Sequence, residues 1–532
     1  MFGYEYVNLN VTQIETRRKL LDEAGFQAYI TPIIILVGIW ASPKVTGAQS
    51  KNDGHASAWS RRLRWTLNNT YMQEFGPLQV QILGILYAAF LVFRTAHQTG
   101  NDYMHVTKAF GHVAVSQLPL QYMLAMKYPN SPITLATGLT HERLNAYHRL
   151  AGRIIHALIA SHAVLYLRFF AVKGLLTKRI MDWDVRLGVM AFWTMNFLGI
   201  LAIPPIRRQV YHAVFYRSHV ILTAILPVVL WFHVPYTRIY VAQAILFALA
   251  NGILRGGASQ PATVTYEEAG KDIVRVRAKV GGKHLYPYLP GVHVYLNQPG
   301  IGPRTPFTVL SARALGNSEK ESEIELIAKN SYGPMTGALA DATKHNQKLK
   351  LSLEGPYGEA QVYMPELLDE ENARRGCFLV VAGGVGATYA LPIYKALVKI
   401  RGSTNDMRLL WLVRKEEDIE WAKDFLLDSN FASGMHVFIT QPEKPDTLSV
   451  SGQPASLGGL SAGHPDWEDQ VSALFGPKSS AASEKHLASP VRIMVCGPLG
   501  LSRRLRQAVS EYAIVEGQDV MWYEEQFGFG GS

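Results

Sequence analysis

The stretch HRLAGRIIHALIASH, residues 148–162, carries three histidines and two arginines inside a run that otherwise reads as lipid-buried helix. Ionisable groups are costly in hydrocarbon, so a cluster of them there signals function. His148 and His162 are separated by 14 positions. In an α-helix that step returns to within about 40° of the same face and rises about 21 Å. Two apolar runs later, HVILTAILPVVLWFH places His219 and His233 at the same separation. One span lies between the two runs, so they run parallel, with His148 level with His219 and His162 level with His233. Two such pairs, about 21 Å apart in a hydrocarbon core of about 30 Å, suit two bis-imidazole haems, with neutral histidine as the iron ligand.

The other membrane histidines do not join this ladder. His156 lies about 80° off its face, His112 has no partner, and His212 precedes its apolar run and reads as interfacial. Arg153, one turn beyond His148, is placed to meet a haem propionate or simply to snorkel.

Around this ladder the chain of 532 residues divides into two unlike halves. Apolar runs dominate up to about residue 255, and an ordinary soluble composition follows. Seven candidate spans fall at 26–41, 78–94, 110–126, 148–170, 187–204, 214–235 and 238–254. The third is polar and could instead lie in the interface. Lysine and arginine divide almost evenly between the two sets of loops, so charge asymmetry decides little about orientation. The net charge of +10 is scattered and forms no nucleic-acid arm. The two cysteines, Cys377 and Cys496, exclude a disulfide framework and fit a cytosolic location for the second half. The first 25 residues are polar and show no signal-peptide order.

From about residue 260, short β-branched runs separated by Gly and Pro turns predict a small antiparallel barrel. CFLVVAGGVGATYALPIYKALVKI, MRLLWLVRKEED and VRIMVCGPLGLSRRLRQAV repeat a strand-then-helix sense and predict a parallel doubly wound α/β sheet. The expected organisation is an extracytoplasmic segment (1–25), an all-α transmembrane haem bundle (26–255), an FAD-binding β-barrel (256–365) and an NADPH-binding α/β domain (375–532). Residues 441–489, rich in Ser, Gly, Pro and Ala, read as a disordered insertion.

The stretches LTHERLNAYHRLAGRIIHALIASHAVLY and RRQVYHAVFYRSHVILTAILPVVLWFH resemble the fungal ferric/cupric reductase family, relatives of the NADPH oxidases. The resemblance runs from about residue 80 to the end, apart from the insertion. It implies two transmembrane haems fed by a flavin domain of ferredoxin-reductase type. RTPFTV (304–309) resembles the family's flavin signature: Phe307 would then pack on the flavin, Thr308 would bond to it after Pro306, and Arg304 would address the FAD pyrophosphate. Thr305 stands where the family usually has a histidine. SYGPMT (331–336), ending in Thr336, matches the second phosphate-contacting segment, a helix start that favours anions.

AGGVGAT (382–388) follows a strand and opens a helix, the context of a phosphate loop, with Gly383, Gly384, Gly386 and Thr388 as its members. Arg414, at the end of the next strand, can meet a 2′-phosphate, which points to NADPH, or can simply be solvated. VCGP (495–498) resembles the nicotinamide-side segment, giving Cys496, Gly497 and Pro498. By the same resemblance Glu525 and Phe527 lie beside the flavin, with Phe529 as a rival aromatic.

NADPH gives two electrons together and haem accepts one, so FAD must stand between them. The expected activity passes electrons from cytosolic NADPH through FAD and two haems b to Fe(III) or Cu(II) chelates on the opposite face. The alternative acceptor is O2, giving superoxide; the absence of an EF-hand loop and the closeness of HERLNAYHRLAGR to the reductases favour metal. A receptor or transporter with a degenerate reductase domain is the alternative from another class, opposed by the intact glycine loops and histidine pairs. The expected setting is a multi-pass chain in the plasma membrane, its soluble half cytosolic, working beside an iron or copper uptake system and binding no nucleic acid. Seven spans then put the N-terminus outside and make Asn10 a glycosylation candidate.

Overall fold

A computed structural model describes residues 3–46, 57–210, 214–281, 288–298, 304–315, 321–330, 333–442, 459–475, 490–516 and 518–525. The chain divides into two units: residues 1–53 with 67–257, and residues 54–66 with 258–532.

The first unit is helical. Its opening helix, α1 (Val11–Thr46), begins well before the apolar stretch at 26–41. Residues 1–25 are therefore not a separate segment. The polar turns stay helical because Arg17 pairs with Asp102 at 3.0 Å, Asp22 approaches His112 at 3.3 Å, and Leu21 and Ala24 are buried. Helix α2 (Ala58–Leu67) follows in the chain, but residues up to 66 belong to the second unit. Then come α3 (Leu78–Ala96), α4 (Tyr103–Ser116), α5 (Leu118–Leu124), α6 (His141–Val172), α7 (Trp183–Leu201), α8 (Tyr216–His233) and α9 (Arg238–Ala258).

Among the described residues, five helical segments are long and apolar enough to cross a membrane: 11–42, 78–96, 141–172, 183–201 and 235–258. The two remaining expected spans are α8 and the α4–α5 run. Asp102 caps α4 by accepting from the Met104 and His105 amides, and Gln117 joins α4 to α5 while keeping right-handed helical backbone.

The second unit holds a closed antiparallel barrel in the order β1-β2-β5-β4-β3-β6. Its strands are β1 (Gln260–Glu268), β2 (Ile273–Gly281), β3 (His293–Asn297), β4 (Thr305–Ala314), β5 (Glu321–Lys329) and β6 (Leu351–Tyr357). Helix α10 (Pro334–His345) bridges β5 and β6. The inward residues Val276, Ala278, Val294, Leu296, Ile324, Leu326 and Leu353 are fully buried, so alternation along the strands builds the barrel core.

A parallel sheet follows in the order β10-β9-β8-β7-β11-β12. Its strands are β7 (Cys377–Gly383), β8 (Met407–Val413), β9 (Met435–Ile439), β10 (Leu460–Ala462), β11 (Val491–Cys496) and β12 (Val520–Glu525). β7 leads into α11 (Ala387–Arg401) and β11 into α13 (Leu499–Glu511). The strand order reverses between β7 and β11, and in such sheets ligands bind at the carboxyl ends of the strands flanking the reversal.

The insertion at 441–489 is not wholly irregular. Strand β10 pairs in parallel with β9, and α12 (Trp467–Phe475) follows it. Val471 and Leu474 of α12 are 0% and 5% exposed against Leu505 and Val509, with Trp467 packed beside them. That stripe at helical spacing is what fixes the segment; the small residues around it hide the pattern. Residues 443–458 and 476–489 lie outside the described residues. Leu474→Ala should cost about 2–5 kcal/mol, as for other buried leucines, and lower the thermal midpoint of the purified chain. An unchanged midpoint would mean that 459–475 is not part of the sheet.

Candidate functional site

In the helical unit, helices α6 and α8 bring the two histidine series together at one level that can be measured. The His148 and His219 rings stand 6.3 Å apart centre to centre, inclined at 73°. That spacing admits one metal ion between them at about 2 Å from each nitrogen. Among the described residues, α6 and α8 have no run of close backbone contacts with each other, whereas α8 packs along α7 and α6 along α4. The two histidine-bearing helices therefore leave a gap between them, and all four ladder histidines are only half-buried beside it.

The second ring nitrogen of three of these histidines is held by backbone. His162 Nδ1 lies 2.8 Å from the Thr107 carbonyl, His233 Nδ1 2.7 Å from that of Asp184, and His148 Nδ1 3.3 Å from that of Gln121. A carbonyl only accepts, so in His162 and His233 Nδ1–H donates and Nε2 keeps its lone pair for a ligand bond, whereas His148 Nδ1 lies nearer the Gln121 amide nitrogen, a donor, at 3.1 Å. The Gln121 amide donates in turn to the His148 carbonyl at 3.1 Å. Among the described residues, His219 Nδ1 has no hydrogen-bond partner.

Two glycines make room for the other pair of rings. A Cβ on Gly111 would stand 2.7 Å from the His162 ring, and one on Gly188 2.7 Å from that of His233.

The remaining polar groups resolve as structure. His156 Nε2 bonds Asn196 at 2.9 Å and has a helix–helix role. His112 is not unpartnered as the sequence suggested, since Asp22 approaches it. Arg153 is held by Glu74, through the carbonyl at 2.9 Å and the carboxylate at 3.4 Å, with Phe75 under its guanidinium. The same Glu74 carboxylate pairs with Arg207 at 3.4 Å. His212 lies outside the described residues.

In the second unit the glycine motifs meet at the switch point. β11 pairs with β7, so Cys496 stands beside Ala382. A Cβ on Gly383 would lie 2.6 Å from Pro498, one on Gly386 2.3 Å from the Cys496 carbonyl oxygen, and one on Gly497 3.0 Å from the Gly383 nitrogen. These glycines therefore let two strand-end turns touch. Gly384 adopts φ +56°, the left-handed region that favours glycine, and its carbonyl accepts from Trp411 Nε1 at 2.9 Å. Thr388 turns its hydroxyl to the Val385 carbonyl at 2.8 Å. Arg414 is exposed just past the end of β8.

Cys496 and Glu525 are register partners on β11 and β12, and both are buried. Burial pushes the Cys496 thiol up, so it is a neutral thiol and not a nucleophile. Burial, with Glu359 nearby, pushes the Glu525 carboxyl up to about 8. His293 Nδ1 is 3.4 Å from Glu525 Oε1, and the Tyr363 and Tyr389 hydroxyls meet at 2.5 Å close by. The sequence did not single out His293, Tyr363 or Tyr389; Tyr389 sits directly after the AGGVGAT loop, the one signal available for it. Phe527 and Phe529 lie outside the described residues.

In the barrel, Pro306, Phe307 and Thr308 lie on β4 opposite Tyr295, Val294 and His293. Phe307 and Thr308 are 7% and 6% exposed. Arg304 forms an ion pair with Glu354, a carboxylate with no exposure that also accepts from Tyr357. Removing Arg304 would take the cation from that buried carboxylate and leave it the Tyr357 hydroxyl. Thr336 donates its hydroxyl to the Gly333 carbonyl at 3.0 Å in the first turn of α10, while residues 331 and 332 lie outside the described residues.

The class that emerges is a helical unit with membrane-length apolar helices and a facing His148–His219 pair, followed in the chain by a closed six-stranded barrel and a parallel α/β sheet. The sequence matches the ferric reductase like transmembrane component over residues 110–230 and the ferric reductase NAD binding domain over 377–510. Over those residues the chain is similar to the fungal ferric/cupric reductases.

It is 26% identical to a "Probable metalloreductase" of Meyerozyma guilliermondii, over 82% of this chain and 80% of that protein. It is 24% identical to another of Scheffersomyces stipitis, over 64% and 61%. It is also 24% identical to the ferric/cupric reductase transmembrane component 7 of Saccharomyces cerevisiae, over 59% and 50%. The matches thus span between roughly half and four fifths of these relatives' own length.

The raised Glu525 carboxyl has a thermodynamic consequence. The folded state holds this proton more tightly than the unfolded chain, whose ordinary value is 4.5. Its contribution to stability is full below that value and is lost as pH rises through about 8. Between about pH 6 and about pH 9 the unfolding midpoint should therefore fall more steeply for wild type than for Glu525→Gln. Parallel profiles would assign the slope to other groups.

Proposed function

We propose that this protein is a transmembrane metalloreductase that takes electrons from cytosolic NADPH and delivers them to Fe(III) or Cu(II) chelates on the far side of the membrane. The observation that carries the reading is a repeated spacing. Thr107 and Gln121, whose carbonyls hold His162 and His148, are themselves 14 positions apart. The α4–α5 run thus lies antiparallel to α6 and serves the ladder at both levels.

His148 and His219 would hold one haem b, and His162 and His233 a second. The measured ring spacing, the gap between α6 and α8 and the fixed Nδ1–H tautomers all fit such ligation. Bound flavin accepts a hydride and releases single electrons, and bound haem carries them singly. Among the chain's own residues, Gly383, Gly384, Gly386, Thr388, Gly497 and Pro498 shape the nicotinamide-side turns, and Arg414 is the cation for a 2′-phosphate. Pro306, Phe307, Thr308 and Thr336 line the FAD side. Glu525, protonated at neutral pH, stands beside Cys496 to hold a proton near the flavin, with Phe527 as the stacking aromatic. Arg304 is bound to Glu354, so its service to the FAD pyrophosphate requires exchange of that partner.

NADPH-driven ferrous-chelate formation in membranes bearing the protein tests the whole reading. The rate should persist without oxygen and collapse in His162→Ala. A rate that vanishes with oxygen would identify superoxide as the carrier; a rate indifferent to His162 would mean that flavin reduces the chelate directly.

Gly111→Val tests the second pair without touching a ligand. It should remove one of the two haems per chain, measured as pyridine haemochromogen against protein. Full haem retention would mean that His162 is not a ligand at that position.

A further inference from the structure

The stretch SAWSRRLRWTL, residues 57–67, lies in the linker between the first two spans and belongs to none of the motifs above. Its helix α2 is nevertheless built into the second unit. Trp65 is 5% exposed and shares a core with Leu505, Val509, Tyr512 and Ala513. Its ring meets Trp522 edge-on at 5.8 Å and lies under the Arg506 guanidinium at 4.4 Å. Arg506 also donates to the Trp65 carbonyl at 3.2 Å, and Trp65 Nε1 donates to the Ser510 hydroxyl at 3.3 Å. Arg64 pairs with Asp519 at 2.7 Å, and Arg62 donates to the Val515 carbonyl at 2.6 Å.

All these contacts fall on one part of the domain, the end of α13 and the turn that leads into β12. β12 ends in Glu525, beside Cys496. A buried tryptophan flanked by an arginine and a second tryptophan is the composition of an interface anchor, and the Arg64 pair adds register more than energy.

We propose that α2 is an intrachain docking strap: the linker after the first span binds the nucleotide-binding domain and positions β12, and with it Glu525. The positioning role rests on the reading of Glu525 as a flavin-side residue; the docking itself does not.

Docking also fixes topology. A linker that forms part of the reductase unit has to lie on the same membrane face as that unit. Between residue 66 and the barrel run α3, α4–α5, α6, α7, α8 and α9. An even number of crossings returns the chain to the face it left, so α4–α5 crosses together with the others. If it did not, α2 and the barrel would stand on opposite faces.

Two measurements on the full-length chain decide the matter. Trp59 is 69% exposed on α2, and the native cysteines are buried, so Trp59→Cys supplies one reactive thiol. In sealed vesicles of known orientation, an impermeant maleimide should label it only from the side that labels Val362→Cys, a 61% exposed position of the second unit. Labelling from the other side overturns the proposal.

The second measurement is NADPH-driven flavin bleaching in Trp65→Ala. The rate should drop by roughly tenfold, the loss expected of an interface anchor, with FAD and haem content retained. The high-pH limb of the rate, governed by Glu525, should shift. Arg64→Glu should slow bleaching more mildly, and adding Asp519→Arg should restore it. An unchanged rate and pH profile in Trp65→Ala, or no rescue by the charge swap, would reduce α2 to passive packing. If wild type bleaches no flavin, the metalloreductase reading falls, while the labelling still decides the docking.

Discussion

An imidazole that binds a metal through Nε2 needs its other nitrogen held, or the ring turns and the tautomer is free. For the histidines proposed as ligands here, the holding atoms are the main-chain carbonyls of Thr107 and Asp184, and Gln121 engages His148 through both its carbonyl and its side-chain amide. Much of the helical unit follows from that requirement. A carbonyl in mid-helix is already engaged with its own helix, so a ring can reach it only where neighbouring helices approach closely. Gly111 lies one turn from Thr107 and Gly188 one turn from Asp184, and each removes the Cβ that would strike the ring. Glycine at these positions weakens the helix by about 1 kcal/mol relative to alanine, a cost the bundle carries so that the ring nitrogens are satisfied.

The reductase unit obeys a comparable constraint at its switch point. Two turns, after β7 and β11, must come within van der Waals distance so that the strand ends form a continuous floor. Gly383, Gly386 and Gly497 are needed first for that approach. The opening at these turns is then a by-product of packing that already excludes side chains. The same crowding buries Cys496 and Glu525 as neighbours and keeps both protonated at neutral pH. A neutral carboxylic acid and a neutral thiol can donate where ionised forms could not.

The legible parts of the sequence were those written in one dimension. The fourteen-residue histidine spacing is a period, and it survives without knowledge of partners. The barrel and the parallel sheet announced themselves through alternation and through glycines at strand ends. What stayed hidden depended on contacts between distant segments. The Thr107, Gln121 and Asp184 carbonyls are backbone atoms and carry no side-chain signature. His293 meets Glu525 more than 200 positions away. The apolar stripe of α12 is short and flanked by Ser, Gly and Ala, so composition outvoted it. Trp65 carries no local signal, because its partners lie at 505–522.

The third span shows why hydropathy fails where a membrane protein does its work. The α4–α5 run is polar because its residues are engaged. Gln117 bonds both Tyr87, at 2.8 Å, and Ser116, at 2.8 Å; Thr107 turns its hydroxyl back to Tyr103 at 2.7 Å; and Gln121 serves His148. These groups bond inside the bundle and not toward lipid, although Gln121 Oε1 has no partner among the described residues. Helix α8 is diluted in the same way by His219 and His233. A hydropathy threshold therefore drops α8 and the α4–α5 run, with His219, His233, Thr107 and Gln121, while it keeps α6, whose histidines sit in an otherwise apolar run.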